Sequence, residues 1–329
     1  MKELRIKSVR SVGGKTVCDI TVDVDHSYTT KGGIISHNTT NPDIKPMFIP
    51  APGYLWVELD YSQAELRIVA ELAKEQQMID WFNAGHNIHV AVAVKAENLN
   101  TGKNYTYEEI YPITKDENHP DHKYWTKKKK RAKTINFGIL YEQSPKKLAE
   151  TLKSSVEEAA EFREQWLTLF PKIAKWIDGQ HKKVKRDGYV TNIFGFKRRL
   201  PNIYSSKWGE KGEASRQAVN SPIQGAASFF TLFSAIVIEE YRLLGKIPMD
   251  FPLTYTVHDS LGTWVKAEDI HDFVKIAVPI CANPQTQEYF KFQLKCVKMK
   301  ASVEVGTNWG DKHDYNKNTD YTKLLKQAL

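Results

Sequence analysis

Cysteine is scarce in this chain. Only Cys18, Cys281 and Cys296 occur in 329 residues, and none stands in a Cys-x-x-Cys spacing. That excludes a disulfide framework and a cysteine-built zinc site, and suits a reducing compartment, read here as cytoplasm. No apolar run reads as long enough to cross a bilayer, so no membrane partner is expected. The N-terminus lacks the apolar core of a secretory signal. Internal repeats are missing too, and the lysine run at 127–130 is the one low-complexity tract. Acidic residues are in deficit: 39 Asp and Glu face 47 Lys and Arg, a net charge of +8. This balance favours a polyanionic partner, nucleic acid first, although a ribosome-binding or membrane-surface protein would carry the same charge. Hydrophobic residues at 41% and charged residues at 26% fit a globular chain long enough to bury a core.

Residues 1–38 read as short β segments. "KTVCDITVDV" alternates β-branched and polar residues between the turn signals "GGKT" and "TKGG". From 39 to 53 the prolines at 42, 46, 50 and 52 predict extended chain. A strand is expected over 54–60 and a helix over 62–82, followed by a Tyr-rich connection near 100–126. Helices are then expected over "KKKKRAKTINFGILYEQS", 144–187 and 212–245. "LTYTVHDSLGTWV" predicts a hairpin with His258, Asp259 and Ser260 at its tip. The change in composition near residue 40 places a boundary at 38/39, between a small all-β module and a larger α/β unit over 39–329.

The boundary itself carries chemistry. An asparagine side-chain amide can attack its own backbone carbonyl and cut the following peptide bond, provided a neighbour polarises that carbonyl and protonates the leaving amine. His37 precedes Asn38 and is suited to that task, and the Thr39 hydroxyl can accept an acyl group. "TVCDITVDVDHSYTTKGGIISHN" resembles the C-terminal half of an intein, the self-excising splicing element. The resemblance covers nearly all of 1–38. It implies that Asn38 cyclises, His37 assists, Thr39 receives the upstream protein, and Asp19 and His26 shape the site. Paired with an N-terminal half, the segment would complete a Hint-type fold. That half and the intein's own first residue are absent here, so a partner chain and trans-splicing are expected.

In the second unit, Asp60 ends an apolar strand and Asp259 sits at the expected hairpin tip. Together they could hold two divalent ions roughly 3.5–4 Å apart, as phosphoryl transfer uses them. Lys133, Phe137 and Tyr141 recur every four residues, so a helix carries them on one face. A cation followed by two aromatics suits a triphosphate, its sugar and a stacked base, whereas a leading lysine suits a core stripe poorly.

With "DYSQAELR" (60–67), "KKRAKTINFGILY" (129–141) and "VHDS" (257–260), residues from about 39 to 310 resemble the polymerase domain of family A DNA polymerases. "NIH" (87–89), "GYVTNIFGFKRRLP" (188–201), "RQAVNSPIQGAA" (216–227) and "VEVGTNW" (303–309) follow the same family order. The fold implied is a right hand, palm plus fingers, of α/β (α+β) class. By this resemblance Asp60, Asp259 and the Tyr61 carbonyl hold two Mg²⁺ ions, with Mn²⁺ as an alternative. Lys133 and His89 meet the phosphates of a dNTP, and Lys129 stands near them. Phe137 stacks on the sugar, Glu65 excludes a 2′-hydroxyl, and Tyr141 lies beside the template base. Arg216, Asn220 and Gln224 line the minor groove of primer-template DNA, and His258 touches the primer end.

Three positions depart from the family pattern: Lys129 replaces an Arg, Glu142 follows Tyr141 where Gly is usual, and Ser260 stands where Glu is common. The family's thumb and an early palm strand would lie upstream of "TTNPDI". An incomplete intein and an incomplete polymerase imply a polymerase encoded in two pieces, in a phage or a bacterium. The competing readings are a single-subunit RNA polymerase-like enzyme, a DNA-binding module with a dead site, and a protein whose only chemistry is release of 1–38.

Overall fold

The computed structural model describes residues 45–284 and 294–328, with side chains to 325. The intein-like segment, with Asp19, His26, His37, Asn38 and Thr39, lies outside the described residues. So does the seam.

The centre is a five-stranded antiparallel sheet, ordered β4-β5-β1-β6-β7. Its strands are β1 (Tyr54–Tyr61), β4 (Tyr255–Val257), β5 (Ser260–Lys266), β6 (Ala301–Gly306) and β7 (Lys312–Asp314). A separate hairpin pairs β2 (Tyr189–Thr191) with β3 (Lys197–Arg199). Strand β1 is central, paired with β5 on one edge and β6 on the other, and its side chains alternate between the two faces. Leu55, Val57, Leu59 and Tyr61 are buried in the main core, while Trp56, Glu58 and Asp60 point to the other face. Each fully buried leucine contributes about 1.5–3 kcal/mol.

Eleven helices are described: α1 (Ala64–Ala73), α2 (Gln76–Asn83), α3 (Ile88–Thr101), α4 (Tyr107–Ile113), α5 (His122–Leu140), α6 (Pro145–Leu152), α7 (Val156–Leu169), α8 (Pro171–Asp187), α9 (Trp208–Leu243), α10 (Ile270–Ala282) and α11 (Tyr321–Ala328). Helices α1, α9 and α10 contribute to the core under β1, and α8 packs on α1 and α9.

Several boundaries differ from the sequence expectation. The helix expected over 62–82 is two, because Lys74 adopts a left-handed conformation and caps α1. Glu75 then turns its carboxylate to the backbone N–H of Lys172 at the start of α8, 2.9 Å away. The 144–187 stretch is three helices, begun by Ser144 and Ser155 caps and by Pro171. The Tyr-rich connection contains α4, opened by a Thr106–Glu109 capping box. Only His258 and Asp259 form the hairpin tip; Ser260 already belongs to β5. Helix α9 also corrects the expectation about apolar runs. An 18-residue window of it is apolar enough to span a bilayer, but 56% of that window is buried inside the protein. It is a core helix by its packing.

Candidate active site

Two backbone events bring the acidic groups together. Register pairs Asp60 with Ser260 across β1 and β5. The tip is then pulled in, as the Tyr61 N–H donates to the Asp259 carbonyl at 3.1 Å. His258 takes the left-handed conformation (φ 53°) that so tight a turn requires. The hydroxyl of Ser260 donates to the Val257 carbonyl at 2.9 Å. It braces the turn and adds no third carboxylate.

Asp60 is pushed up to about 7, first by burial and then by the negative charges of Asp259, Glu58 and Glu304. Burial raises Asp259 too, while His258 and Lys133 oppose the shift. Lys312, paired with Glu58 and Glu304, and the nearby His258 and Lys133 do not overcome the upward shift of these desolvated carboxylates, and a divalent cation is the natural counter-ion. The residues therefore fit the expected metal site, although among the described residues no group of three or more His, Cys, Asp or Glu comes together. The Tyr61 side chain points away from this cleft. Its buried hydroxyl donates to the Cys281 carbonyl at 2.9 Å and sits 2.6 Å from Ser234 Oγ.

Helix α5 supplies the opposite wall. Lys133 Nζ lies 6.0 Å from the Phe137 ring centroid, and Phe137 stacks on Tyr141 at 6.0 Å, so the three share one face as expected. The Tyr141 hydroxyl reaches both Glu65 oxygens, at 3.0 and 3.2 Å. Burial, then Glu65, pushes the tyrosine up to about 12, and burial raises Glu65. The Gln224 amide of α9 lies near both partners and opposes the upward shift of each. The structure thus brings Gln224 to the Glu65–Tyr141 wall. Asn220 and Arg216 lie one and two turns earlier on α9, Arg216 exposed and Asn220 with a buried, unpartnered Oδ1. His258 is exposed beside Asp259.

His89 opens α3 under the Asn87 cap. Its ring lies 5.8 Å from Phe137. Burial, with Lys133 and Lys129 adding repulsion, lowers it to about 3, so it is neutral at physiological pH. Asn136 Nδ2 lies 2.8 Å from His89 Nδ1, and its Oδ1 accepts from Trp166 Nε1 at 2.6 Å. With Nδ1 accepting from the amide, the imidazole proton stands on Nε2. Sequence reasoning missed Asn136. The available signal was a lone amide on the Ile135–Ile139 side of α5, which turned out to be fully buried. It also missed Arg67, which braces the fold by donating to the Ser62 and Lys298 carbonyls at 2.9 and 2.8 Å.

The lysine run divides by role. Lys128 pairs with buried Glu97 at 2.5 Å, Lys129 is half-buried facing Lys133 and His89, and Lys127 and Lys130 are exposed. At the end of α5, Glu142 is left-handed (φ 49°), a conformation that costs a side-chain-bearing residue about 1–2 kcal/mol. Its carboxylate lies 2.8 Å from His181 Nε2 on α8.

A two-carboxylate cleft faced by a Lys-aromatic helix is the arrangement expected of a nucleotidyl-transferring palm. Sequence comparison agrees: the profile described as DNA polymerase family A matches residues 33–311, and the chain belongs to that family. The DNA polymerase of Bacillus phage SP01 is 33% identical over 279 residues, covering 82% of this chain and 28% of the relative. DNA polymerase I of Caldicellulosiruptor bescii is 30% identical over 266 residues, and thermostable DNA polymerase I of Thermus aquaticus 33%; each match covers 81% of this chain and 28% of the relative. A solved structure, the POL domain of Pol1 from M. smegmatis in complex with DNA primer-template and dNTP, superposes with a TM-score of 0.66 at 26% identity. It covers 82% of this chain and 42% of that one. The chain spans less than a third of the length of these curated relatives. Family A DNA polymerases generally use divalent metal ions.

Proposed function

We propose that this chain is the C-terminal part of a DNA-directed DNA polymerase, made as a precursor whose residues 1–38 splice it in trans to an N-terminal chain. The observation that carries the polymerase reading is the convergence of Asp60, Asp259, Glu65, Tyr141 and Lys133 on one cleft from β1, the β4–β5 turn, α1 and α5. Asp60, Asp259 and the Tyr61 carbonyl would hold two Mg²⁺ ions, Mn²⁺ being the alternative. When bound, the ions supply Lewis-acid stabilisation of the attacking and leaving oxygens.

The chain's own residues do the rest. Lys133 meets the incoming phosphates as a point charge, with Lys129 behind it. His89, neutral and protonated at Nε2, donates a hydrogen bond without adding charge. Phe137 offers its ring to the deoxyribose. The Glu65–Tyr141 pair fills the volume a 2′-hydroxyl needs, which favours dNTPs and argues against the RNA polymerase alternative. Arg216, Asn220, Gln224 and His258 form the DNA-facing surface toward primer-template. The net positive charge suits that partner. The reading sets the protein in the cytoplasm of a bacterium or a phage-infected cell.

The splicing reading rests on the sequence of 1–39, in which Asp19, His26, His37, Asn38 and Thr39 occupy the intein-like positions. The family match begins at residue 33, inside that segment. Intact mass after co-expression with the upstream chain tests it. A joined product lacking 1–38, not released by Asn38→Ala, is expected, and Mg²⁺-dependent primer extension by that product tests the polymerase. An unchanged mass with the true partner would sink the splicing reading, and failure to extend would sink the polymerase reading.

A further inference from the structure

Glu142 stands where a glycine would be the cheapest residue. Helix α5 closes with the N–H of Gln143 donating to Gly138 O at 2.8 Å and the N–H of Glu142 to Ile139 O at 2.9 Å, the motif that normally ends on a left-handed glycine. A side chain kept there against backbone preference needs a compensating contact. Glu142 has one: its side chain is only 11% exposed and its Oε2 lies 2.8 Å from His181 Nε2.

The contact completes a circuit. Glu65 on α1 holds the Tyr141 hydroxyl. Tyr141 is followed directly by Glu142, Glu142 grips His181 on α8, and α8 packs back on α1. The α8 start is tied to the same region, through the Lys172 N–H on Glu75. The last turn of α5 is thus fixed from two sides, once through the tyrosine hydroxyl and once through the backbone behind it.

We propose that Glu142 and His181 form a positioning pair that holds Tyr141 against Glu65, and so set how strictly the site rejects a ribose. The proposal rests on the polymerase reading above. Without the pair, Tyr141 keeps one tether, and the wall can yield to a 2′-hydroxyl.

The test is equilibrium binding of dATP and ATP to the full 329-residue chain with Mg²⁺, by calorimetry, alongside thermal melts. Glu142→Gly removes the pair but suits the left-handed backbone, so folding is retained. The expected result is an ATP-to-dATP affinity ratio raised about tenfold, carried mainly by tighter ATP binding, at a melting temperature within about 2 °C of wild type. His181→Ala should match it, and the double variant should add nothing further. Glu142→Gln, which still accepts a hydrogen bond from His181, should restore discrimination. A purely structural role predicts the opposite pattern, a changed melting temperature with an unchanged ratio, and that overturns the pairing proposal. If neither the wild-type chain nor its joined product binds either nucleotide, the polymerase reading itself fails and takes the proposal with it. If either form binds both and Glu142→Gly discriminates as well as wild type, only the positioning pair is overturned.

Discussion

Replacing Asp60 with Asn should stabilise the metal-free protein at alkaline pH while abolishing its chemistry. In the unfolded chain Asp60 ionises near its ordinary 3.8, but in the folded cleft near 7. Between these values the folded state holds one proton more than the unfolded state. Folding stability therefore falls as pH rises through that window and stays low above it. At about 1.4 kcal/mol per pH unit the gap amounts to roughly 4 kcal/mol, and solvent access to the cleft reduces it to about 2 kcal/mol. Asp60→Asn carries no such penalty. In EDTA the two proteins should melt together near pH 4. By pH 8 the variant should melt about 4 °C higher, given about 2 °C per kcal/mol for a chain of this size. Millimolar Mg²⁺ should then raise wild type and leave the variant unmoved, because binding to the folded state alone adds stability. A variant that melts below wild type at pH 8 without metal, or a gap independent of pH, would refute the crowded-carboxylate account.

Further perturbations probe the frame around the site. Asn136→Ala strands the Trp166 indole N–H and leaves His89 Nδ1 without its donor, so a loss of about 2–3 kcal/mol is expected in urea unfolding, with weaker dNTP binding. Gly306→Ala should prevent folding, since a Cβ there would lie 1.9 Å from the Asp311 carbonyl oxygen. Gly179→Ala in α8 meets nothing within 4 Å and should be neutral or stabilising by up to about 1 kcal/mol in thermal melts. Phe170→Ala empties a fully buried position packed between Trp81 and Trp166 and should cost about 3–5 kcal/mol, measured the same way.

Much of this architecture is written locally. Strand β1 was legible because Leu55, Val57 and Leu59 alternate with Glu58, Asp60 and a buried Trp56 on the other face, and the Lys133–Phe137–Tyr141 face because the α-helical period is a property of the chain alone. The breaks at Ser144-Pro145, Ser155 and Phe170-Pro171 are also written in the sequence, as caps and prolines that divide 144–187 into three helices. The break at Lys74 carries no such mark. It exists because Glu71 and Glu75 are drawn to distant partners: Glu71 accepts from the Cys296 N–H at 2.7 Å and Glu75 from the Lys172 N–H. Apolar composition alone could not separate α9 from a membrane span either; its packing against α1, α8 and α10 does.

The identity of the reactive groups, by contrast with their state, is a matter of residue type and short-range spacing. Asp60 and Asp259 were visible as strand-end and turn-tip carboxylates, and Glu65 and Tyr141 as members of two separate motifs. Their protonation and pairing were not. Asp60 titrates near 7 and His89 near 3 because remote segments bury them and set charges beside them, and no local pattern encodes that field. The same holds for Ser260, turned to its own backbone, and for Glu142, whose unusual place becomes intelligible only once α8 brings His181 to it. Periodicity is local and survives in a string of letters; desolvation and electrostatic proximity belong to the packed chain.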